Sequence, residues 1–259
     1  MLIRVEDVTK RFDEGGEPVE AVSELGLSVA DGEFLSVVGP SGCGKTTLLK
    51  LIAGLTAPTD GAVYVGGDRV TEPDPAVGMV FQEFSLFPWR TVRENIGFGL
   101  ELMGTEPSER AERVAELIDL TGLSGFGDAY PEALSGGMQK RVALARTLAA
   151  DPVVMLMDEP FGALDEQTRL LMGEELLRIW EEDQKTVLFV THSLQEAVLL
   201  SDRVAVMSGQ PGRIKQVVDV PLDRPRTSDA VEMDAFQDVQ SEIWQSVKTE
   251  SENMLRAND

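Results

Sequence analysis

A glycine-rich turn over residues 39–46, with the sequence GPSGCGKT, carries the strongest chemical signal in the chain. It fits the pattern G-x-x-x-x-G-K-[ST], whose backbone N–H groups surround phosphate oxygens. The apolar run before it predicts a buried strand, and residues 46–53 predict a helix whose N-terminus attracts anions. We therefore predict a phosphate site that uses Gly39, Pro40, Ser41, Gly42, Cys43, Gly44, Lys45, Thr46 and Thr47.

We predict a different role for each of three side chains in this phosphate loop. Lys45 places a positive charge on the outer phosphates, and the Thr46 hydroxyl is a predicted ligand of Mg²⁺. Cys43 is the only cysteine, which excludes an internal disulfide. We expect it to be a small filler whose sulfur makes no contact.

Two adjacent carboxylates, Asp158 and Glu159, follow the apolar run 153–157, which is typical of a strand buried on both faces. Parallel sheets present ligand sites at the carboxyl ends of their strands. Neighbouring side chains of an extended chain point in opposite directions, so the two acids can have different tasks. We predict that Asp158 holds Mg²⁺, directly or through water, and that Glu159 is the general base or orients the attacking water. The alternative is a solvated strand edge.

A second anion-binding geometry begins at Ser135, Gly136 and Gly137, which open a predicted helix. A helix cap alone would explain the serine. One triphosphate does not need two helix N-termini and a lysine, so this segment is redundant within a single chain.

The order of these motifs resembles that of an ATP-binding cassette protein over residues 2–220, or most of the chain. Two further positions fit the same order: Gln82 as the Q-loop and His192, the only histidine, as the switch. Residues 163–165 look like the family's D-loop. Met138 departs from the glutamine that many members have, while the Ser-Gly-Gly core of the signature is intact. The resemblance implies the mostly parallel, RecA-like sheet of P-loop NTPases, with ATP and Mg²⁺ as cofactors.

The resemblance also assigns roles to individual residues. Two copies pack head to tail, so Ser135, Gly136 and Gly137 serve the ATP of the partner. Phe12 takes the place of the aromatic that stacks on adenine, with a core phenylalanine as the alternative. Gln82 contacts Mg²⁺ or the water and reports on the membrane partner, and His192 contacts the γ-phosphate.

Within the family, residues 87–101 look like the ATPase subunits of nitrate, sulfonate and taurine importers. The resemblance then implies a peripheral protein on the cytoplasmic face of the membrane, bound to permease subunits and served indirectly by an extracellular solute-binding protein. We expect the permease to dock on an apolar patch, with a local mini-core as the alternative reading: Phe84, Leu86, Phe87, Pro88 and Trp89. The rivals are another importer subgroup and a cassette ATPase without a transport role.

The composition limits the partners, the salt requirement and the location that we expect for the protein. The formal net charge of −22 disfavours nucleic acid and anionic lipid as partners. Acid excess with only seven lysines among 23 basic residues resembles proteins of salt-loving organisms, with haloarchaea as the candidate source, so we expect folding to need high salt. No apolar run is long enough to span a bilayer, and the N-terminus lacks a signal-peptide segment, so we expect a cytoplasmic protein.

The alternation of apolar runs and helical patterns predicts an α/β fold with a mostly parallel sheet. An N-terminal antiparallel β portion comes first, with strands over 2–8 and 19–29. We expect an ATPase domain over 1–228, with a helical subdomain inserted at about 84–150 and a helical tail over 229–259. Within the insert we expect one helix over 91–103. The tail shows an apolar face: Met233, Phe236, Val239, Ile243 and Val247.

Overall fold

The computed structural model describes residues 1–13, 16, 18–82, 85–162 and 165–257. In chain order, the strands are β1 (Ile3–Phe12), β2 (Val19–Val29), β3 (Phe34–Val38), β4 (Asp60–Val65), β5 (Asp68–Arg69), β6 (Val77–Val80), β7 (Val154–Asp158), β8 (Thr186–Val190), β9 (Arg203–Met207) and β10 (Ile214–Asp219). The α-helices are α1 (Lys45–Ile52), α2 (Val92–Ile96), α3 (Phe98–Leu102), α4 (Pro107–Leu120), α5 (Gly136–Ala149), α6 (Glu166–Asp183), α7 (Leu194–Leu200) and α8 (Asp234–Ala257).

The strands form two sheets. The smaller sheet is antiparallel, in the order β2-β1-β4-β5. The larger sheet has the order β10-β9-β3-β8-β7-β6, and only the pairing of β10 with β9 is antiparallel. Every residue of β3, β7 and β8 is buried, as expected for the centre of a sheet covered on both faces. The expected α/β class, with a mostly parallel sheet and an N-terminal antiparallel portion, is confirmed.

The helical segment between β6 and β7 packs against the same hydrophobic core as the larger sheet. Val92, Ile96 and Val114 belong to one buried cluster with Phe34 of β3. The expected single helix over 91–103 is wrong, because the chain forms α2 and α3 with Gly97 between them. Glycine weakens a helix interior, and here it ends one short helix and begins the next.

The sequence reading missed two strands. β5 is only two residues long, and β10 carries Lys215 and Gln216 among its apolar residues. β10 lies at the edge of the larger sheet, where one side of a strand remains polar. Such a mixed pattern lacks the continuous apolar run that marked the central strands.

The C-terminal helix α8 covers α7 and β9. Phe236 and Ile243 are fully buried in the core of the sheet, and Val239 is buried beside them. Met233 does not belong to this face, because it is exposed and precedes the helix, which begins at Asp234. Among the described helices, none combines the length and the apolar composition that crossing a bilayer requires.

Candidate active site

The parallel strands bring the predicted site residues to one edge of the larger sheet. Residues 39–46 follow β3, Asp158 ends β7, His192 lies two residues after β8, and Gln82 lies two residues after β6. These four strands are neighbours in the order β3-β8-β7-β6. Because parallel strands end at the same edge, segments separated by more than 100 residues meet there.

The phosphate loop is held in a tight backbone conformation. Gly42 and Gly44 have φ angles of 77° and 97°, in the left-handed region that favours glycine. A Cβ atom at Gly44 would lie 2.8 Å from the carbonyl oxygen of Ala21 in β2. The neighbouring strand therefore sets the path of the loop into α1.

Lys45 begins α1, and its side chain is almost fully buried. Its ammonium group donates hydrogen bonds to the carbonyl oxygens of Gly39 and Pro40, both at 2.9 Å. The charge therefore lies against the backbone of the loop, where the sequence predicts phosphate oxygens.

Cys43 departs from its prediction in one respect. It is a buried filler, but its sulfur lies 3.8 Å from the ammonium nitrogen of Lys45, so the expectation of no sulfur contact is wrong. Burial raises the pKa of the thiol, and the nearby Lys45 charge only opposes this effect. The thiol is therefore a neutral neighbour of the lysine rather than a reactive thiolate.

Asp158 has the properties of a metal ligand. It is buried, and its Oδ1 atom has no hydrogen-bond partner. Burial raises the pKa of this carboxyl group, while a hydrogen bond with the Thr46 side chain lowers it. An unpartnered carboxylate oxygen beside a hydroxyl group fits Mg²⁺, which prefers oxygen ligands. In the described parts of the chain, no three His, Cys, Asp or Glu side chains are arranged to hold a metal ion by themselves, so phosphate oxygens and water would complete the coordination.

Glu159 is the point where three predicted catalytic side chains meet. The Nε2 atom of His192 lies 2.6 Å from Oε1 of Glu159, and the amide nitrogen of Gln82 lies 3.3 Å from Oε2. Both oxygens of the carboxylate are therefore oriented by donors from neighbouring strand ends. A carboxylate held in this way can accept a proton from water or orient it.

The backbone at Glu159 is strained. Its φ angle is +47°, and it precedes Pro160, a position that normally requires extended backbone. Its N–H group donates to the carbonyl of Val190 at 2.9 Å, and its carbonyl accepts from the N–H group of Gly162 at 3.1 Å. Strain of this kind persists only where surrounding contacts impose it, and it concentrates at functional sites.

The signature segment lies on the surface. The Ser135 side chain caps α5 by accepting a hydrogen bond from the Met138 N–H group at 3.3 Å. Ser135 and Gly136 are exposed, and Gly137 is half-buried. The helix N-terminus is thus available to another molecule, and Met138 packs its side chain against the core instead.

The remaining predicted residues have mixed outcomes. Phe12 is half-buried at the end of β1, with the ammonium group of Lys10 5.0 Å from its ring centroid, and its contact with adenine stays a prediction.

Of the apolar patch, Phe84 lies outside the described residues, while Trp89 is 70% exposed. Ala163 and Leu164 of the predicted D-loop also lie outside them, whereas Asp165 caps α6.

One buried residue at the site was missed by the sequence reading. Lys140 of α5 donates a hydrogen bond to the backbone carbonyl of Glu159 at 3.3 Å. A lysine is usually exposed, so its residue type gave no signal of burial. Only its position near the start of the signature helix could have drawn attention to it.

The comparisons with known proteins agree with this geometry. The family model described as ABC transporter matches residues 22–162, more than half of the chain. The chain is 55% identical to an uncharacterized ABC transporter ATP-binding protein of Methanocaldococcus jannaschii, covering 89% of this chain and 86% of that protein. It is 48% identical to a nitrate import ATP-binding protein of Synechocystis, covering 86% and 84%. It is 42% identical to an aliphatic sulfonates import ATP-binding protein of Bacillus cereus, covering 95% of each chain.

A solved structure gives the same result for the fold. The dimeric post-hydrolysis state of the ATP-binding cassette MJ0796, bound to ADP and Pi, superimposes with a TM-score of 0.77 at 33% sequence identity. The match covers 85% of this chain and all of that one.

Proposed function

The chain belongs to the ABC transporter family, and we propose that it is the ATP-hydrolysing subunit that powers import of a small solute of the nitrate, sulfonate or taurine kind. The observation that carries this proposal is the meeting of Glu159, His192 and Gln82 beside a phosphate loop. The similarity to nitrate and sulfonate import proteins supports the transport role and the solute class. The solute itself is selected by other subunits.

The chemistry follows from the arrangement of the side chains. The loop N–H groups and Lys45 bind the triphosphate, and Thr46, Asp158 and Gln82 are the residues that would hold Mg²⁺. When bound, Mg²⁺ neutralises part of the charge that develops on the phosphates. Glu159 orients the attacking water or accepts its proton.

His192 has two tasks in this proposal. Its Nε2–H group fixes the Glu159 carboxylate at 2.6 Å, and reorientation of the ring towards bound ATP would bring it to the γ-phosphate. The side chain is half exposed, which leaves room for such a movement.

A second copy of the chain completes the ATP site. Ser135, Gly136 and Gly137 would bind the ATP held by the phosphate loop of the partner, through the exposed N-terminus of α5. The exposure of Ser135 and Gly136 and the dimeric form of MJ0796 support this arrangement.

The membrane partner is proposed to dock beside the Q-loop. Leu86 and Phe87 are half-buried, whereas Pro88 and Trp89 are exposed. The first two residues therefore fix the patch to the protein, and the last two are accessible to a partner. Phe87 stacks against Phe98 of α3, with 4.6 Å between the ring centroids. Docking here would put the permease next to Gln82 and hold the protein at the cytoplasmic face of the membrane. An extracellular solute-binding protein would deliver the solute.

The acidic surface supports a protein adapted to high salt. With a net charge of −22, the folded chain repels itself unless counterions screen the repulsion. A salt-loving source remains part of this proposal.

Purification from native membranes tests the transport role. The tagged chain is recovered in high salt from detergent-solubilised membranes, and its partners are identified by mass spectrometry. A polytopic subunit in near-equal amount, together with a solute-binding protein encoded nearby, is expected. Recovery of the chain without a membrane subunit, both with and without ATP, would favour a cassette ATPase that has no transport role.

A further inference from the structure

A buried positive charge lies directly behind the hydrolytic site. Lys140 of α5 is only 7% exposed, although it is five residues from the exposed Ser135. Its ammonium group donates to the Glu159 carbonyl oxygen at 3.3 Å. Burying a lysine is unfavourable unless charged or polar partners compensate, so its placement needs an explanation.

The charged groups that act on Lys140 come from three other segments, those of Glu159, Arg169 and Glu196. Glu196 of α7 is buried, and its Oε1 atom lies 3.2 Å from Nε of Arg169 in α6. The Thr191 hydroxyl, next to His192, also hydrogen-bonds to the Glu196 carboxylate. Burial lowers the pKa of Lys140, while the charges of Glu196 and Glu159 favour its protonated form. Lys140 thus contacts the Glu159 segment directly and interacts electrostatically with Glu196, which is hydrogen-bonded to the residue beside His192.

The contact with Glu159 occurs where the backbone is strained. The φ angle of +47° before Pro160 is unfavourable for a residue other than glycine. The Glu159 carbonyl accepts from Gly162 as well as from Lys140. A charge-assisted hydrogen bond at this oxygen restrains the peptide plane and therefore the direction of the carboxylate.

We propose that Lys140 is a positioning residue that connects the signature segment, residues 135–137, to Glu159 of the same chain. The inference rests on the proposed function, in which that segment binds the ATP of a second copy while Glu159 acts on the ATP of its own chain. Lys140 then links the two ATP sites of the dimer. ATP bound at one site adjusts the carboxylate at the other through α5.

Substitution of Lys140 separates this role from a structural one. Lys140→Met removes the charge and the donor but keeps the length, and we expect kcat for ATP hydrolysis to fall on the order of tenfold. Affinity for a non-hydrolysable ATP analogue should stay within about twofold of the original, because Lys140 is buried and lies outside the predicted phosphate site. Lys140→Arg keeps a charged donor and should recover most of kcat. The matched control is Lys248→Met, on the exposed face of α8, with unchanged kinetics.

Three outcomes would overturn the role of Lys140. One is an unchanged kcat in Lys140→Met, and another is an equal loss of kcat and analogue affinity with a lowered Tm. The third is a failure of Lys140→Arg to recover activity while it folds normally. If Lys140→Met does not fold, Lys140→Gln keeps a polar group with a shorter reach, and the same kcat loss is expected.

A double-mutant cycle tests the link to the signature segment. If Lys140 transmits the state of residues 135–137, the kcat losses of Ser135→Ala and Lys140→Met should combine to less than their product. Independent, multiplicative effects would refute the link. Wild-type protein that neither binds nor hydrolyses ATP would refute the proposed function itself, whereas normal hydrolysis with an unaffected Lys140→Met variant would refute only this inference.

Discussion

The Nε2 atom of His192 lies 2.6 Å from Oε1 of Glu159, although the two residues are 33 positions apart in the chain. The contact exists because β7 and β8 are parallel neighbours and both residues follow the ends of these strands. An imidazole N–H group that donates to this oxygen fixes the carboxylate on one side, while Gln82 donates on the other.

Loss of this imidazole should slow hydrolysis without weakening nucleotide binding. We expect His192→Ala to lower kcat on the order of 100-fold, because a catalytic group displaced by about 1 Å loses a factor of this size. The KM for ATP should change little. Steady-state phosphate release provides the measurement, and His192→Gln, which keeps an amide donor, is the control. Equal activity of the alanine variant and the wild type would contradict the role of His192.

Glu159→Gln removes the carboxylate that we propose as the base but keeps the shape of the side chain. We expect kcat to fall by roughly 10²–10⁴-fold, the usual contribution of general acid–base catalysis. The variant should still bind ATP and remain as an ATP-bound dimer, which size-exclusion chromatography with and without ATP will show. Near-normal turnover of Glu159→Gln would show that Glu159 is not the general base.

Asp158→Asn should stabilise the protein in the absence of nucleotide and Mg²⁺. Burial raises the pKa of Asp158, so the folded protein binds this proton more tightly than the unfolded chain. Its contribution to the free energy of unfolding therefore falls as pH rises from 3.8 through the folded pKa. A neutral amide has no proton to lose in this pH range, so Asp158→Asn removes the loss of stability that the buried carboxylate causes at neutral pH.

The measurement for Asp158→Asn is thermal unfolding at neutral pH without nucleotide or Mg²⁺. A rise in Tm of about 2–4 °C would correspond to ~1 kcal/mol in a chain of this size. Asp238→Asn, at an exposed position of α8, should leave Tm unchanged. A lower Tm in Asp158→Asn would show that the carboxylate stabilises the nucleotide-free fold.

Trp89→Ala should separate membrane association from ATP hydrolysis. The ring is 70% exposed, so its removal should leave the ATPase activity of the isolated subunit within about twofold of wild type. Recovery of the membrane subunit with the tagged chain should fall sharply, because an exposed aromatic anchor is lost. Trp244→Ala, which removes another exposed tryptophan from α8, is the matched control. Intact recovery with Trp89→Ala would refute the docking patch.

Salt should stabilise the fold. The Debye length falls from about 10 Å at 0.1 M to about 3 Å at 1 M, so molar KCl screens most of the repulsion among the acidic side chains. We expect Tm to rise steadily between low and molar KCl, as followed by circular dichroism. A Tm that is constant or falls over this range would contradict the proposed adaptation to salt.

The sequence was sufficient to predict the central strands of the larger sheet and the edge at which the predicted site residues meet. Apolar runs marked β3, β7 and β8, and the polar motifs directly after them located the site. The contact between Lys140 and Glu159 was not predictable. Lysine is usually exposed, whereas Lys140 is buried in α5, and the two glycines that open this helix give no sign of which face it buries. The break at Gly97 was missed because apolar spacing continues through it, whereas the short helices depend on local caps.

The chain contains a single imidazole, and it belongs to His192 beside Glu159. Isotopic labelling of histidine would therefore give one set of ring resonances in an NMR spectrum, with no assignment problem. A change in these resonances would show whether the contact between the ring and the carboxylate changes as nucleotide binds, is cleaved and leaves. The single histidine is therefore a natural spectroscopic probe of its contact with Glu159.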